Sequence, residues 1–573
     1  MDTAGVCQIK PEFILPEKER QLNLNHVSDK DKAAIDRPDE TTTGQAPEEA
    51  VDSERTEGED GQSQPKRARG NPKKLKGQNK KRGRTYNHNT SDALCDLLVH
   101  VQEGEEVPPC PRKECFGSHN IEEYLRKKPA DIGPVCYSFQ ISGKCSRGLA
   151  CRFGQSHIAA VSGRNVVDKE KYEQYINKGP HVKNQLEKGV QWALRKKTYN
   201  FDLADKLIDS YNRKAVKATP DEINLLVHPG KKTFGAVTDE DIISLRTQEK
   251  KKIDWANKLY LASLTTVGNL PFRRICKEFG AEITCGEMAM CSSLLQGMPQ
   301  GWSEIGNVVE LERYLDFSLE WALMKRHHTE DIFGVQLAAN NPHMLVKCGQ
   351  MLEKECDIDF IDLNLGCPID WAPQLKEWGA SMITIHGRSR EQRYTKSADW
   401  EYIRQVAINA NPVPVFGSGD VLTYDDYKIA RETAPEVSGV MLARGALIKP
   451  WIFTEIKEAR LWDISSKERF DIVKKYVDYG LEHWGSDSRG VENTRKFLLE
   501  WLSFLYRYVP VGLLERPPQK INDRPPFYRG RDDLETLMAS PAASDWIKLS
   551  EMLLGKVPDG FKFIPKHKAN SYE

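Results

Sequence analysis

From Lys258 onward, short apolar runs alternate with stretches whose apolar residues recur at helical spacing. The runs are Leu259–Ala262, Ile283–Cys285, Ile332–Leu337, Phe360–Leu363, Met382–Ile385, Val413–Phe416 and Val440–Ala443. Continuous apolar strands separated by helices predict a parallel sheet covered on both faces. Seven such strands can be read, one short of the eight in a TIM-type (β/α)8 barrel. Past about Ser465 the pattern is helical, with Phe470–Trp484 and Thr494–Tyr508 as the clearest segments.

Upstream the texture is polar. Residues 1–85 carry few aromatics and many charges, and predict a disordered tail. Residues 86–160 are loop-like and hold six of the thirteen cysteines. Residues 161–250 read as a linker with helical patterning around Val182 to Arg213. The expected organisation is therefore tail (1–85), cysteine-rich region (86–160), partly helical linker (161–250), α/β barrel (255–460) and helical domain (461–573).

Formal net charge is zero, yet the charge is unevenly placed. Asp29 to Asp60 is acidic, whereas Pro65 to Arg84 holds ten Lys or Arg and no acid. That block suits phosphate contact or a nuclear localisation signal. No run of eighteen apolar residues and no basic-then-apolar leader is present, so an intracellular protein with mostly reduced cysteines is expected, cytoplasmic or nuclear.

Two cysteine sets have metal-ligand spacing. Cys136-x8-Cys145-x5-Cys151-x5-His157 offers three thiolates and an imidazole, a tetrahedral set for zinc. Cys95, Cys110, Cys115 and His119 form a looser set with a long gap after Cys95. Both resemble CCCH zinc fingers, a class used on single-stranded RNA. Phe116 and Phe153 could stack on bases or form the finger cores.

Barrels of this type place function at the C-terminal strand ends. Those ends carry Ser263, Thr265, Thr266, Gln336, Asn364, Cys367, His386, Arg388, Ser418, Gly419, Asp420, Ala443 and Arg444. Gly417–Asp420 and Ala443–Gly445 follow the last two strands, where backbone N–H groups commonly hold a phosphate. Arg444 adds a guanidinium fork suited to it. A phosphate-bearing cofactor is expected.

Leu261–Thr266, Gly334–Leu337, Asp362–Pro368, Ile385–Ser389 and the two glycine-rich ends make the run from Lys258 to about Lys568 resemble the tRNA-dihydrouridine synthase family. The fingers resemble those of its eukaryotic type 3 branch. The resemblance implies FMN at the barrel mouth, reduced by NADPH or NADH. It places Ser263, Leu264, Thr265, Gln336, His386, Ser418, Gly419, Asp420, Ala443 and Arg444 against the flavin. The implied reaction reduces the C5=C6 bond of a uridine in the tRNA variable loop, with hydride going to C6 and Cys367 protonating C5. A thiol with pKa near about 8.5 keeps its proton at pH 7. The uridine must leave its stack to react. Arg495, Lys496, Arg507 and Lys520 would then hold the tRNA backbone. The expected partner is tRNA, with mRNA left open as a second RNA and neither a membrane nor an obligate protein partner implied. Other flavin barrels, such as dihydroorotate or old-yellow-type oxidoreductases, lack the fingers and the basic arm.

Three departures from the family pattern stand out. Ser263 replaces a proline, Met298 to about Leu319 reads as an insertion, and only eighteen residues separate Cys367 from His386. The family places a further strand in that last interval, with a lysine and an arginine near the flavin. A splice variant or imperfect gene model with poor intrinsic activity, still able to bind RNA, is the expectation that follows.

Overall fold

The computed structural model describes residues 6–16, 93–213, 252–297, 319–365 and 372–566, apart from 113, 114, 116, 390, 391 and 393–395. Cys367, the basic block and most of the insertion lie outside the described residues.

All seven expected strands form: β1 (Lys258–Leu261), β2 (Ile283–Cys285), β3 (Ile332–Ala338), β4 (Phe360–Leu363), β5 (Ile383–His386), β6 (Val415–Ser418) and β7 (Gly439–Leu442). Every pair among them is parallel. The order is β4-β3-β2-β1-β7-β6-β5, a barrel wall curled around one axis. Register is fixed by pairs such as Tyr260 with Ile283, Gln336 with Asp362 and His386 with Ser418. Among the described residues, β4 and β5 do not pair with each other. The TIM-type wall is thus open where the sequence is short of one unit.

An aromatic plug ties β4 to β1 and β6 from inside. Tyr260 on β1 packs edge-on against Phe360 of β4 and Phe416 of β6, at 6.0 Å each. Trp255 makes the same two contacts at 5.6 and 6.3 Å. Gly334 is required here, because a Cβ would sit 2.2 Å from the Phe360 ring. The outer face is less complete. Ile361, Leu363 and Leu365 lie exposed near the opening, and Trp378 is 64% exposed.

Helices α1 (Leu270–Glu278), α2 (Pro342–Glu355), α3 (Trp400–Ala410), α4 (Tyr424–Thr433) and α5 (Arg444–Ile448) cover the rest of the wall. Then α6 (Ser466–Trp484) and α7 (Ser488–Leu505) pack antiparallel, followed by α8 (Ala543–Leu554). A capping box between Ser465 and Glu468 starts α6. One core joins Leu261, Leu442, Trp451, Tyr476, Trp501 and Trp546 with Cys136, Cys145, Cys151 and Phe153. The second cysteine cluster is therefore built onto the helical domain. Phe153 is buried in that core, so of its two sequence readings the structure selects core packing.

Two segments are more ordered than the polar texture predicts. Residues 6–16, expected in the disordered tail, bridge Arg524, Leu514 and Tyr528 and bury Cys7 and Ile9. A locally apolar string (Val6, Cys7, Ile9, Phe13, Ile14) is hidden by the charged average around it. The linker acts as a strap: Val182–Lys183 pairs antiparallel with Arg326–His327, and Leu194 enters the core beside Phe333 and Val335. Its helices among the described residues are Lys169–Asn177, Lys188–Lys196 and Asp202–Arg213.

Candidate active site and metal centres

The parallel wall turns every strand's C-terminal end to one rim, and the predicted residues meet there. From β1, the Ser263 hydroxyl donates to the Gly286 carbonyl at 2.7 Å. Leu264 is half-buried, Thr265 is exposed, and Thr266 adopts a left-handed conformation, φ 79°. From β3, the Gln336 amide donates to Asp362 on β4 at 2.8 Å. Asn364 reaches back to Gln336 and Met288.

On the opposite lip, His386 ends β5 beside Ser418. Burial lowers its pKa, and Arg388 and Arg444 lower it further, so the imidazole is neutral near pH 7. Asp420, with φ 53°, is pinched between two guanidiniums. Arg388 pairs with one carboxylate oxygen and Arg444 with the other, the latter at 3.0 Å. The Ala398 amide and the Trp400 indole tie the Gly419–Asp420 turn to the start of α3. His386, Ser418, Gly419, Asp420, Ala443, Arg444 and Ile521 of the helical domain line a cavity of about 20 Å³ there.

These residues fit the phosphate end of a flavin mononucleotide. Arg444, the Gly419–Asp420 turn and the start of α5 line one small cavity, while Arg388 stands outside that lining and braces Asp420 from behind. The fit ends at the opening between β4 and β5, where Gln336 and Asn364 stand on one lip and His386 on the other.

Sequence reasoning missed two groups at the rim. Glu287 follows β2 and accepts from the Thr266 amide at 2.5 Å. Burial lifts its pKa to about 7. An acid two residues past a strand end was a readable cue. Lys566 donates to the Thr266 hydroxyl at 2.9 Å from 300 residues away, a contact no local pattern reveals. One expected RNA contact is corrected. Arg495 is buried and donates to Ser550, the Leu554 carbonyl and the Gly555 carbonyl at 2.8–2.9 Å. It closes the C-terminus of α8. Lys496 and Lys520 are exposed, and Arg507 is half-buried.

Both cysteine sets assemble as spaced in the sequence. Cys95, Cys110, Cys115 and His119 converge, as do Cys136, Cys145, Cys151 and His157, with ligand atoms within 4.8 Å of one another. Tetrahedral zinc with Zn–S near about 2.3 Å requires sulfurs roughly 3.8 Å apart. Cys136 lies 3.7 Å from Cys145 and 3.8 Å from Cys151, and Cys95 lies 3.9 Å from Cys110. The long gap after Cys95 is closed by a bridge between Leu94 and Ser118.

Fold and site together define a (β/α)8-type enzyme with an arginine-bearing polar rim and two Cys3His clusters. The sequence profile described as dihydrouridine synthase matches residues 260–374 and 369–503, two segments that meet at the shortened interval. A Xenopus tropicalis protein named tRNA-dihydrouridine(47) synthase [NAD(P)(+)]-like is 43% identical over 647 positions, covering 99% of this chain and 96% of the relative. Proteins of the same name are 47% identical in Xenopus laevis (90% and 86% covered) and 44% in Homo sapiens (87% and 85%). This chain belongs to the dihydrouridine synthase family. The 647 aligned positions exceed its 573 residues by 74, so the relative carries residues that this chain lacks.

Proposed function

We propose that this chain is built for the NAD(P)H-dependent reduction of uridine to 5,6-dihydrouridine in tRNA, with FMN as bound cofactor and position 47 of the variable loop as target. The observation that carries this reading is the Arg388–Asp420–Arg444 cluster at the C-terminal rim of a dihydrouridine-synthase barrel. A bound flavin supplies hydride chemistry there. Arg444 and the Ser418–Gly419–Asp420 turn would hold its phosphate, with Arg388 positioning Asp420, while Ser263, Leu264, Thr265, Gln336, His386 and Ala443 would border the rest. Neutral His386 can donate one hydrogen bond without bringing a charge. Cys367 is assigned the proton passed to C5. The two Cys3His centres would hold zinc and, with exposed Lys496 and Lys520, face RNA.

The opening between β4 and β5 favours a second reading for this particular chain, an RNA-binding isoform with impaired catalysis. Loss of a strand removes ladder bonds on both lips and part of the flavin's walls. One experiment separates the two: flavin absorbance of the purified chain, with tRNA binding measured on the same sample. Stoichiometric flavin and normal uridine reduction support the first reading. Sub-stoichiometric flavin with retained tRNA binding supports the second. Neither flavin nor tRNA binding sinks both.

A further inference from the structure

Away from the rim, the strap meets the barrel through three imidazoles. His181 immediately precedes the strap strand, His327 ends its partner strand Arg326–His327, and His328 follows in the turn before β3. The pairing of Val182 with His327 fixes their approach, and the His328 amide donates to the His181 carbonyl at 2.9 Å. Ring centroids are 4.7 Å apart for His181 and His328, and 4.2 Å for His327 and His328. One nitrogen from each ring lies within 4.8 Å of the others.

Hydrogen bonding leaves these nitrogens available. His327 Nδ1 accepts from the Thr329 amide at 3.4 Å and lies 2.8 Å from the Thr329 hydroxyl, so Nε2 carries the ring proton, which a metal ion bound there would displace. His181 Nε2 is buried and has no hydrogen-bond partner. A buried polar atom in that state is unfavourable and calls for a partner outside the chain. The Tyr175 ring stacks on His181 at 4.2 Å and 3°, which fixes the imidazole plane. Nearby cations are already compensated: Arg273 pairs with Glu330 at 2.8 Å, and Arg274 with Glu482 at 2.6 Å.

We propose that His181, His327 and His328 form a further metal site, for a zinc-class divalent ion, that clamps the strap to the barrel. Three imidazole ligands suit zinc, nickel or copper better than calcium or magnesium. Tetrahedral zinc with Zn–N near about 2.05 Å places its nitrogens roughly 3.3 Å apart. His328 is exposed, so its ring can turn toward the other two without disturbing the core. The fourth position would face solvent and carry water. The metal would satisfy His181 Nε2 and add a covalent-strength link across 146 residues of sequence, between positions 181 and 327.

The test uses the untagged full-length chain, equilibrated with Zn2+ and freed of excess by gel filtration, with metal counted by mass spectrometry. Wild type is expected to hold one equivalent more than either H328A or H181A. His328 is exposed, so H328A leaves the core intact. With Co2+ as probe, the lost equivalent is expected to lack the thiolate charge-transfer band that the cysteine sites give. Hydrogen exchange at Val182 and Lys183 is expected to slow on adding zinc to wild type and to stay unchanged in H328A. Equal metal content in wild type and both variants overturns the proposal. So does a lost equivalent that carries the thiolate band, or exchange that slows equally in H328A.

Discussion

The Ser486 hydroxyl lies 3.5 Å from the Cys145 sulfur although 341 residues separate them. Ser486 sits in the turn between α6 and α7, and its carbonyl also accepts from the Arg152 amide at 2.8 Å. Arg147 adds a bond to the Trp484 carbonyl and an ion pair with Asp487. The helical domain thus supplies outer-shell support to the second Cys3His centre. Such partners typically change metal affinity by about 10–100-fold. S486A is expected to weaken zinc at this centre about tenfold, read by competition with a chromophoric chelator. C145A is expected to lower the melting temperature of the helical domain as well, followed by tryptophan fluorescence. An unchanged melting temperature would show the centre to be energetically separate.

Arg495 gives a second prediction, against the RNA role its sequence suggests. Its guanidinium satisfies the Ser550 hydroxyl and two carbonyls at the end of α8. Each buried group left unsatisfied costs about 1–3 kcal/mol. R495A is expected to lose several kcal/mol in urea unfolding. K496A, at an exposed neighbour, is expected to leave stability within about 0.5 kcal/mol and to weaken tRNA binding instead.

Arg495 also shows where sequence reading stops. The strands were legible because apolar runs report burial directly, and even the missing strand was visible as a short interval after Cys367. The convergence of the two Cys3His sets was legible because spacing and residue type suffice, Cys95 included. What could not be read was which cations face inward. Arg495 and Lys496 are adjacent in sequence, yet helical geometry buries one and exposes the other. Lys566 on Thr266 and Ser486 on Cys145 are products of tertiary folding, with no local pattern to announce them. The docked strap and residues 6–16 were hidden for another reason: a few apolar residues inside a charged window suffice once a groove exists to receive them.

The opening between β4 and β5 predicts a colloidal liability. Ile361 and Leu363 point outward from an edge strand, paired on one side with β3, and are 37% and 47% exposed. Exposed apolar edges template association, and lysine on an edge suppresses it. The chain is expected to bind a hydrophobic dye and to self-associate with rising concentration. L363K is expected to reduce light scattering while changing stability by no more than about 0.5 kcal/mol. Reinstating a strand-and-helix unit between Pro368 and Gln374 is expected to abolish both signals and to raise flavin occupancy. Persistent self-association in that longer chain would place its cause elsewhere.

Glu287 sets a pH dependence at the rim. Burial raises its pKa from 4.5 to about 7. The Thr266 amide, Arg273 and Lys566 pull it down, and Glu320 pushes it up. The folded state therefore holds a proton that the unfolded chain releases earlier. The associated stability is complete below about pH 4.5 and is lost as pH rises through about 7. Full expression of the shift corresponds to roughly 3 kcal/mol. E287Q keeps an acceptor for Thr266 but cannot ionise. Urea unfolding at pH 5 and pH 8 is expected to show a smaller drop for E287Q than for wild type, by up to that amount. Because Thr266 belongs to the loop that carries Ser263 and Thr265, ionisation of Glu287 acts next to the edge proposed to border the flavin. Flavin affinity in wild type is then expected to vary between pH 6 and pH 8 and to stay flat in E287Q. Identical pH slopes in the two proteins would remove Glu287 as the titrating group.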